Sequence, residues 1–412
     1  MSDPHEKLTD QLRRGGWLAA DHSVRESWLK EQVHAARHGK SLHPTIDELK
    51  KMIENDGDMY MGFNRMLEGD PVIKDYKDLL RTMNGFLTQA PYYGPIGPPF
   101  YMLLERAMNT QGGFTVFLTG KLNAQFKKIF EVWAKYLVSP DSAGVLSDRE
   151  GGWFSDTALS VLEAHFPGLS FAQIFKCNPD DLHWGFTSWD HFFVRELNPG
   201  IRALELPDLP NVINAACESV FYRMQTNAQE TDQFWIKGEP YSLRHMLNHD
   251  PEYAQQLYGG TIFQGFLAVT SYHRWHSPVA GQIKKIVTVP GTYYLQSPAL
   301  INSTDEHPYL RSMSFITSMT TRMLIFIESS NANIGLMCFI AIGMVEVSTC
   351  QATVKAGQWV KRGDELGMFH FGGSSHCLVF RPGVDIKWDG DVISKPGKSV
   401  KLRAAIGVVQ TA

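Results

Sequence analysis

Cysteine is scarce. The five in 412 residues, Cys177, Cys217, Cys338, Cys350 and Cys377, are an odd set with no CxxC pair and no zinc-like spacing. This argues against a disulfide-framed secreted scaffold and a cysteine zinc site, and points to reduced thiols in a reducing compartment. Long apolar runs are also missing. The longest, 334–345, has about half of the roughly 20 residues a spanning helix needs and ends in the alternating Val345-Glu346-Val347-Ser348, so it reads as a buried strand. Residues 1–20 mix Asp, Glu, Lys and Arg without the apolar stretch of a secretory signal, and neither end carries a myristoylation or prenylation signature. No charge of one sign dominates: 39 basic and 43 acidic residues give a net charge of −4. Without a broad positive field, nucleic acid and anionic lipid are not favoured partners. A cytoplasmic protein with no nucleic-acid partner and no stable membrane insertion is expected.

What is present is enough apolar material, 43% hydrophobic and 12% aromatic, for one large or two ordinary cores. Residues 1–165 read as helical. Leu79, Leu80, Met83, Phe86 and Leu87 fall on one helical face, and Phe126, Ile129, Phe130, Trp133, Tyr136 and Leu137 on another. Between them, 90–99 is too rich in Gly and Pro for helix. It is either an interhelical connection or a loop lining a substrate pocket. From about Leu204 the texture turns to β-branched and aromatic runs broken by Gly and Pro, as in 283–294, 323–328 and 339–353. The segment 357–367 predicts a hairpin leading into Phe371-Gly372-Gly373-Ser374-Ser375. The expected class is α+β, with a helical N-terminal domain over 1–165 and a β-rich domain over 166–412. Breaks in the helical pattern place the boundary between Pro140 and Pro167.

Three segments carry polar groups suited to chemistry. Gly372-Gly373-Ser374-Ser375 joins two residues free to take positive φ with two hydroxyls. It fits neither the GxSxG elbow of hydrolases nor a phosphate-binding loop, and by itself it is equally a flexible turn. Tyr272-His273-Arg274-Trp275-His276 places two imidazoles three residues apart. They are open to three readings: metal ligands, for which no third ligand is evident; hydrogen-bonded structural groups; or proton carriers for a nucleophile elsewhere, with Ser374 the candidate. Ala215-Ala216-Cys217-Glu218-Ser219 offers Glu218 as an acid to orient a histidine, a choice that spacing alone leaves open.

In this order the segments resemble the phosphatidylserine decarboxylase family, whose members cleave themselves before a serine and turn it into a pyruvoyl group. The run Phe192-Phe193-Val194-Arg195-Glu196-Leu197-Asn198-Pro199-Gly200-Ile201-Arg202 is similar to the family's Phe-Phe-x-Arg-x-Leu, and Lys237-Gly238-Glu239-Pro240-Tyr241-Ser242-Leu243 to its Lys-Gly-x-x-Tyr-Ser-Leu. The N-terminal part, with Ala90-Pro91-Tyr92-Tyr93-Gly94 and Met108-Asn109-Thr110, is similar to a soluble fungal branch acting on L-tryptophan. The resemblance implies cleavage between Gly373 and Ser374, a covalent pyruvoyl cofactor made from Ser374, and no metal. It also implies chains 1–373 and 374–412 that stay associated, and a triad of Glu218, His273 and Ser374 with His276 as a second active-site imidazole. Glu218 stands where the wider family usually has Asp. The implied reaction is decarboxylation of a free aromatic L-amino acid, tryptophan first, with phosphatidylserine as the alternative substrate. A non-enzymatic binding module, with the Gly-Gly-Ser-Ser segment a mere turn, is the alternative from outside the family.

Overall fold

A computed structural model describes residues 22–37, 39, 41–94, 96–231, 241–304, 308–346, 348–371, 374–394 and 396–410. Gly372 and Gly373, the first half of the expected cleavage pair, and residues 237–240 of the Lys-Gly-x-x-Tyr run lie outside them, as do residues 1–20. The described chain forms two compact units. One spans 12–193 and 291–312; the other holds 194–290 and 313–412. The division at Phe193 and Val194 comes later in the chain than the 165/166 expected from composition, because the short helices Phe171–Ile174 and Trp189–Phe193 belong with the helical unit.

In the helical unit, the helices Tyr76–Phe86 and Gly120–Leu137 form where the apolar spacing predicts them. Asp75 starts the first by accepting the Lys77 and Asp78 amides, which satisfies donors that the helix itself leaves over. Phe100 joins their buried faces in an aromatic core: Phe86 lies edge-on to it at 5.3 Å and Trp133 at 5.2 Å, while Phe126 is edge-on to Tyr294 at 5.3 Å. Tyr294 belongs to the returning segment 291–312. Asn109 holds that segment, since its carbonyl accepts the Asn302 amide and its side-chain amide donates to the Ser303 carbonyl. The Gly/Pro loop after Ala90 is tied down inside this unit: Trp153 donates its indole N–H to the Pro91 carbonyl, and Tyr93 donates its amide to Gly151.

The second unit contains β1 (Val212–Asn214), β2 (Ser219–Ala228), β3 (Gly260–Leu267), β4 (Arg274–His276), β5 (Gly281–Val289), β6 (Arg322–Ser329), β7 (Leu336–Gly343), β8 (Thr349–Ala352), β9 (Trp359–Val360), β10 (Glu365–His370), β11 (Ser374–Phe380), β12 (Ile386–Trp388), β13 (Ser399–Val400) and β14 (Ala405–Val409). Eight of them make one antiparallel sheet in the order β13-β2-β3-β11-β7-β6-β5-β9. Both faces of this sheet are covered. Phe263, Phe339, Leu378 and Phe380 pack on one side, Tyr241, Ile340, Cys377 and Val379 on the other. Burial on both faces is why β6 and β7 read as nearly unbroken apolar runs rather than alternating ones. The run 334–345 accordingly supplies β7, as expected.

A smaller sheet, β4-β10-β8, lies against the first face, where Trp275 packs 5.3 Å from Phe339 and 5.4 Å from Phe369. The hairpin expected over 357–367 is not one. Gly357 and Gly363 do take turn conformations at φ +85° and +78°, but β9 pairs with β5 and β10 with β4 and β8. The turn residues announced a reversal, but β5 and β4, which pair with β9 and β10, are remote in sequence.

Gly281 opens β5 so close to β6 that a Cβ there would run into the Glu328 carbonyl and lie 2.8 Å from Ser329 Cα. Backbone cannot yield as a side-chain tip can, so Gly281→Ala is expected to destabilise the protein by about 1–3 kcal/mol. Denaturant unfolding of the two proteins checks this; equal midpoints would contradict the packing.

Candidate active site

Ser374 is the first residue of β11 and is hydrogen-bonded on both sides, opposite Leu267 at the end of β3 and Gly343 at the end of β7. Its side chain has no solvent exposure, and its hydroxyl makes no hydrogen bond among the described residues. A buried hydroxyl left so costs about 1–3 kcal/mol, so its retention calls for an explanation. Just before it Phe371, bulky and buried, sits at φ +77°, a conformation non-glycine residues rarely hold.

Because Ser374 pairs with Leu267, the loop that follows β3 leaves the sheet beside it, and that loop ends in His273. The loop is held from beneath. Arg195 is fully buried and donates to the carbonyls of Thr270 (2.8 Å) and Ser271 (3.1 Å), while the Ser271 hydroxyl accepts the Ala268 amide. The Phe369 amide bonds the His273 carbonyl at 3.0 Å. Burial, then the Arg195 charge, drives His273 well below the usual histidine value, so its imidazole is neutral. Burial also brings Arg195 down to about 9.

His276 lies in β4 with its ring stacked on Tyr272. Its Nδ1 is 2.9 Å from the Gly363 carbonyl and its Nε2 is 3.3 Å from the Tyr272 hydroxyl. A carbonyl can only accept, which assigns the proton to Nδ1 and leaves Nε2 to accept from Tyr272. Arg403 donates to the same carbonyl and stands 3.2 Å from Nδ1. Burial first and this guanidinium second hold His276 down to about 3.

Glu218, expected to orient His273, is held by an arginine and a backbone amide. Its two carboxylate oxygens take a fork from Arg202 at 2.6 and 2.8 Å, and one also accepts the Leu402 amide at 2.9 Å. The structure therefore brings the His273 loop beside Ser374 and places Glu218 in a buried ion pair. Two arginines of the 192–202 segment, Arg195 and Arg202, support these groups. Their place in the run was visible in the sequence, but their targets were not.

His376 was missed entirely. It shares a sheet face with Ser374, two residues on, and its ring stacks on Phe339. Burial holds it at about 3, and its Nδ1 has no partner among the described residues; the same is true of the Ser219 hydroxyl and the Trp275 indole N–H in this region. Gly265 makes the room: a Cβ there would lie 2.5 Å from His376 Cε1 and 2.8 Å from Ser219 Oγ.

A model described as phosphatidylserine decarboxylase matches residues 189–408, and a second of the same description matches 43–162. The chain belongs to the phosphatidylserine decarboxylase family. Its relatives differ in kind. It is 41% identical to the L-tryptophan decarboxylase of Psilocybe cubensis, over 97% of this chain and 95% of that protein. It is 44% identical to the decarboxylase iboD of Amanita muscaria over 77% of this chain and 93% of that one. Phosphatidylserine decarboxylase proenzyme 3 of Schizosaccharomyces pombe is 31% identical over 61% of this chain and 24% of its own length. The phosphatidylserine decarboxylase family works with a pyruvoyl group, and the residues here fit one: a fully buried Ser374 with an uncommitted hydroxyl, beside a loop that carries a neutral imidazole. None of the described helices is long and apolar enough to cross a membrane, and the five cysteines are all free thiols.

His273, His276 and His376 all have folded-state values below the ordinary 6.5. Above that pH all three are neutral in both states. Below it the unfolded chain takes up protons that the folded chain refuses, so stability falls toward pH 3 by up to about 1.4 kcal/mol per pH unit for each histidine. His376→Phe is expected to remove about one proton from that slope between pH 6.5 and 4. Urea midpoints measured across the range test it, and an unchanged slope would mean that His376 is not held neutral.

Proposed function

We propose that this family member cleaves itself between Gly373 and Ser374 and then decarboxylates a free aromatic L-amino acid, with L-tryptophan giving tryptamine and CO₂. The observation that carries the substrate reading is similarity over nearly the whole of both chains to a protein named L-tryptophan decarboxylase, helical unit included. The phosphatidylserine decarboxylase proenzyme of Schizosaccharomyces pombe, by contrast, matches over 61% of this chain. A cytoplasmic enzyme with a small-molecule substrate follows from the same reading.

Maturation begins at the uncommitted Ser374 hydroxyl. His273 is neutral, so it can take the hydroxyl proton as Oγ attacks the Gly373 carbonyl and the peptide bond passes to an ester. Loss of the Ser374 α-proton then breaks the Cβ–Oγ bond and frees Gly373 as a carboxylate. The dehydroalanine left at 374 takes up water and releases ammonia, which yields the pyruvoyl group. Once present, that group supplies the electron sink for loss of the substrate carboxylate as CO₂. The chain's own part in turnover is to exclude water, as the covered sheet face does, and to return a proton to the substrate α-carbon. His273 carries that proton, a contribution typically worth about 10²- to 10⁴-fold, with His276 as the second imidazole of the site.

Glu218 contributes at a distance in this reading: its ion pair with Arg202 and its bond to the Leu402 amide anchor the segment after β13 against the start of β2. After cleavage, chains 1–373 and 374–412 stay together, because β11 is an interior strand bonded along seven residues to both β3 and β7.

Denaturing electrophoresis with mass analysis tests the first half. Wild type should run as two chains, the smaller blocked by a pyruvoyl group, while Ser374→Ala should remain one chain without activity. An uncut, unmodified wild type would end the proposal. Assaying the cleaved enzyme with L-tryptophan, L-tyrosine, L-phenylalanine and phosphatidylserine tests the second half; phosphatidylethanolamine as the sole product would reassign the substrate.

A further inference from the structure

Two hydroxyls follow Gly373, and they differ in their commitments. In an extended strand successive side chains face opposite ways. Ser374 therefore looks toward the face lined by Leu267 and Trp275, and Ser375 toward the face lined by Tyr241 and Ile340. On that second face the Ser375 hydroxyl is fully engaged: it donates to the Gly265 carbonyl at 3.0 Å and accepts from Gln264 Nε2 at 2.9 Å. The Gln264 Oε1 in turn accepts from the Tyr241 hydroxyl at 2.5 Å. Arg223 stands over the Tyr241 ring, 5.6 Å from its centroid. Tyr241, Gln264 and Ser375 have no solvent exposure.

We propose that Tyr241, Gln264 and Ser375 form a buried positioning relay for self-cleavage, which fixes the backbone torsions of the first residues of β11 so that Ser374 is presented as the nucleophile. This rests on the self-cleavage reading and extends it to residues that touch neither the scissile bond nor substrate.

The physical case has three parts. A linked set of buried hydrogen bonds in a medium of low dielectric resists displacement more than its members would singly. The ladder alone sets the register of β11 but leaves the torsion of its first residues loose, and attack on the preceding carbonyl is sensitive to misplacement on the order of 1 Å. Finally, the relay removes the competing hydroxyl, since Ser375 has both its proton and an acceptor site in use. The relay also accounts for the Tyr of the Lys-Gly-x-x-Tyr-Ser-Leu run. Its ring closes the second face, and its hydroxyl fixes which way the Gln264 amide points, leaving the NH₂ toward Ser375.

The experiment follows cleavage of freshly made full-length chains over time by mass analysis, alongside thermal unfolding. Gln264→Leu, close in volume but unable to bond, is expected to slow cleavage by about tenfold or more, and Tyr241→Phe, which removes only the hydroxyl, by a smaller factor. Ser375→Ala should slow it like Gln264→Leu, and Ser375→Thr, which restores the hydroxyl, should recover most of the rate. The slowed chains should unfold within a few degrees of uncut Ser374→Ala, which separates positioning from failure to fold. Cleavage of Gln264→Leu and Ser375→Ala at the wild-type rate would overturn the relay while leaving self-cleavage intact. An uncut wild type would overturn the reading beneath it instead. Equal slowing in Ser375→Ala and Ser375→Thr would also overturn the relay, since the hydroxyl would then not matter.

Discussion

The two-sided hydrogen bonding of β11 is the constraint on which the rest of this protein depends. A strand bonded to β3 and β7 over its whole length is fixed in register, and its period of two divides its side chains between two buried faces. That single fact makes Ser374 inaccessible to solvent, directs it toward the aromatic face, and sends its neighbour Ser375 the other way. It also makes the strand hard to remove. A chain cut immediately before β11 keeps its ladder on both sides, so the same interactions that align the reacting residue retain the product.

Around this strand two arginines are committed to fixed partners, one to backbone and one to a carboxylate. Arg195 holds the carbonyls of the loop that carries His273, and Arg202 occupies Glu218. Buried charges of this kind are tolerated only when hydrogen-bonded, and here their partners define where the loops run. The histidines bear the consequence. Shielded from water and facing guanidinium groups, His273 and His276 are neutral and hold an added proton weakly.

The helical unit shows how much of a fold local pattern carries. Leu79, Met83 and Phe86 were legible as one face because helical spacing is a property of neighbouring residues. The apolar run 334–345 was legible as a buried strand for the same reason. The segment 357–367 was not, since its turn residues say that the chain reverses but nothing local says that β9 will join β5 and β10 will join β4. Arg195 and Arg202 stood in a recognisable run, yet an arginine's reach is spatial, and their targets lie 75 and 16 residues away.

By itself the sequence determined the α+β class and the family, and it offered a short set of candidate site groups: Ser374, His273, His276 and Glu218. These follow from side-chain chemistry and from order along the chain, which folding does not alter. Only the tertiary structure decided what surrounds those groups: that the Ser374 hydroxyl has no hydrogen-bond partner among the described residues while Ser375 is bound, that Glu218 is paired with Arg202, and that His376 shares a sheet face with Ser374. The reason is physical. Commitment of a hydrogen bond and loss of contact with water depend on what packs alongside, and those partners come from strands and loops that the chain brings together only on folding.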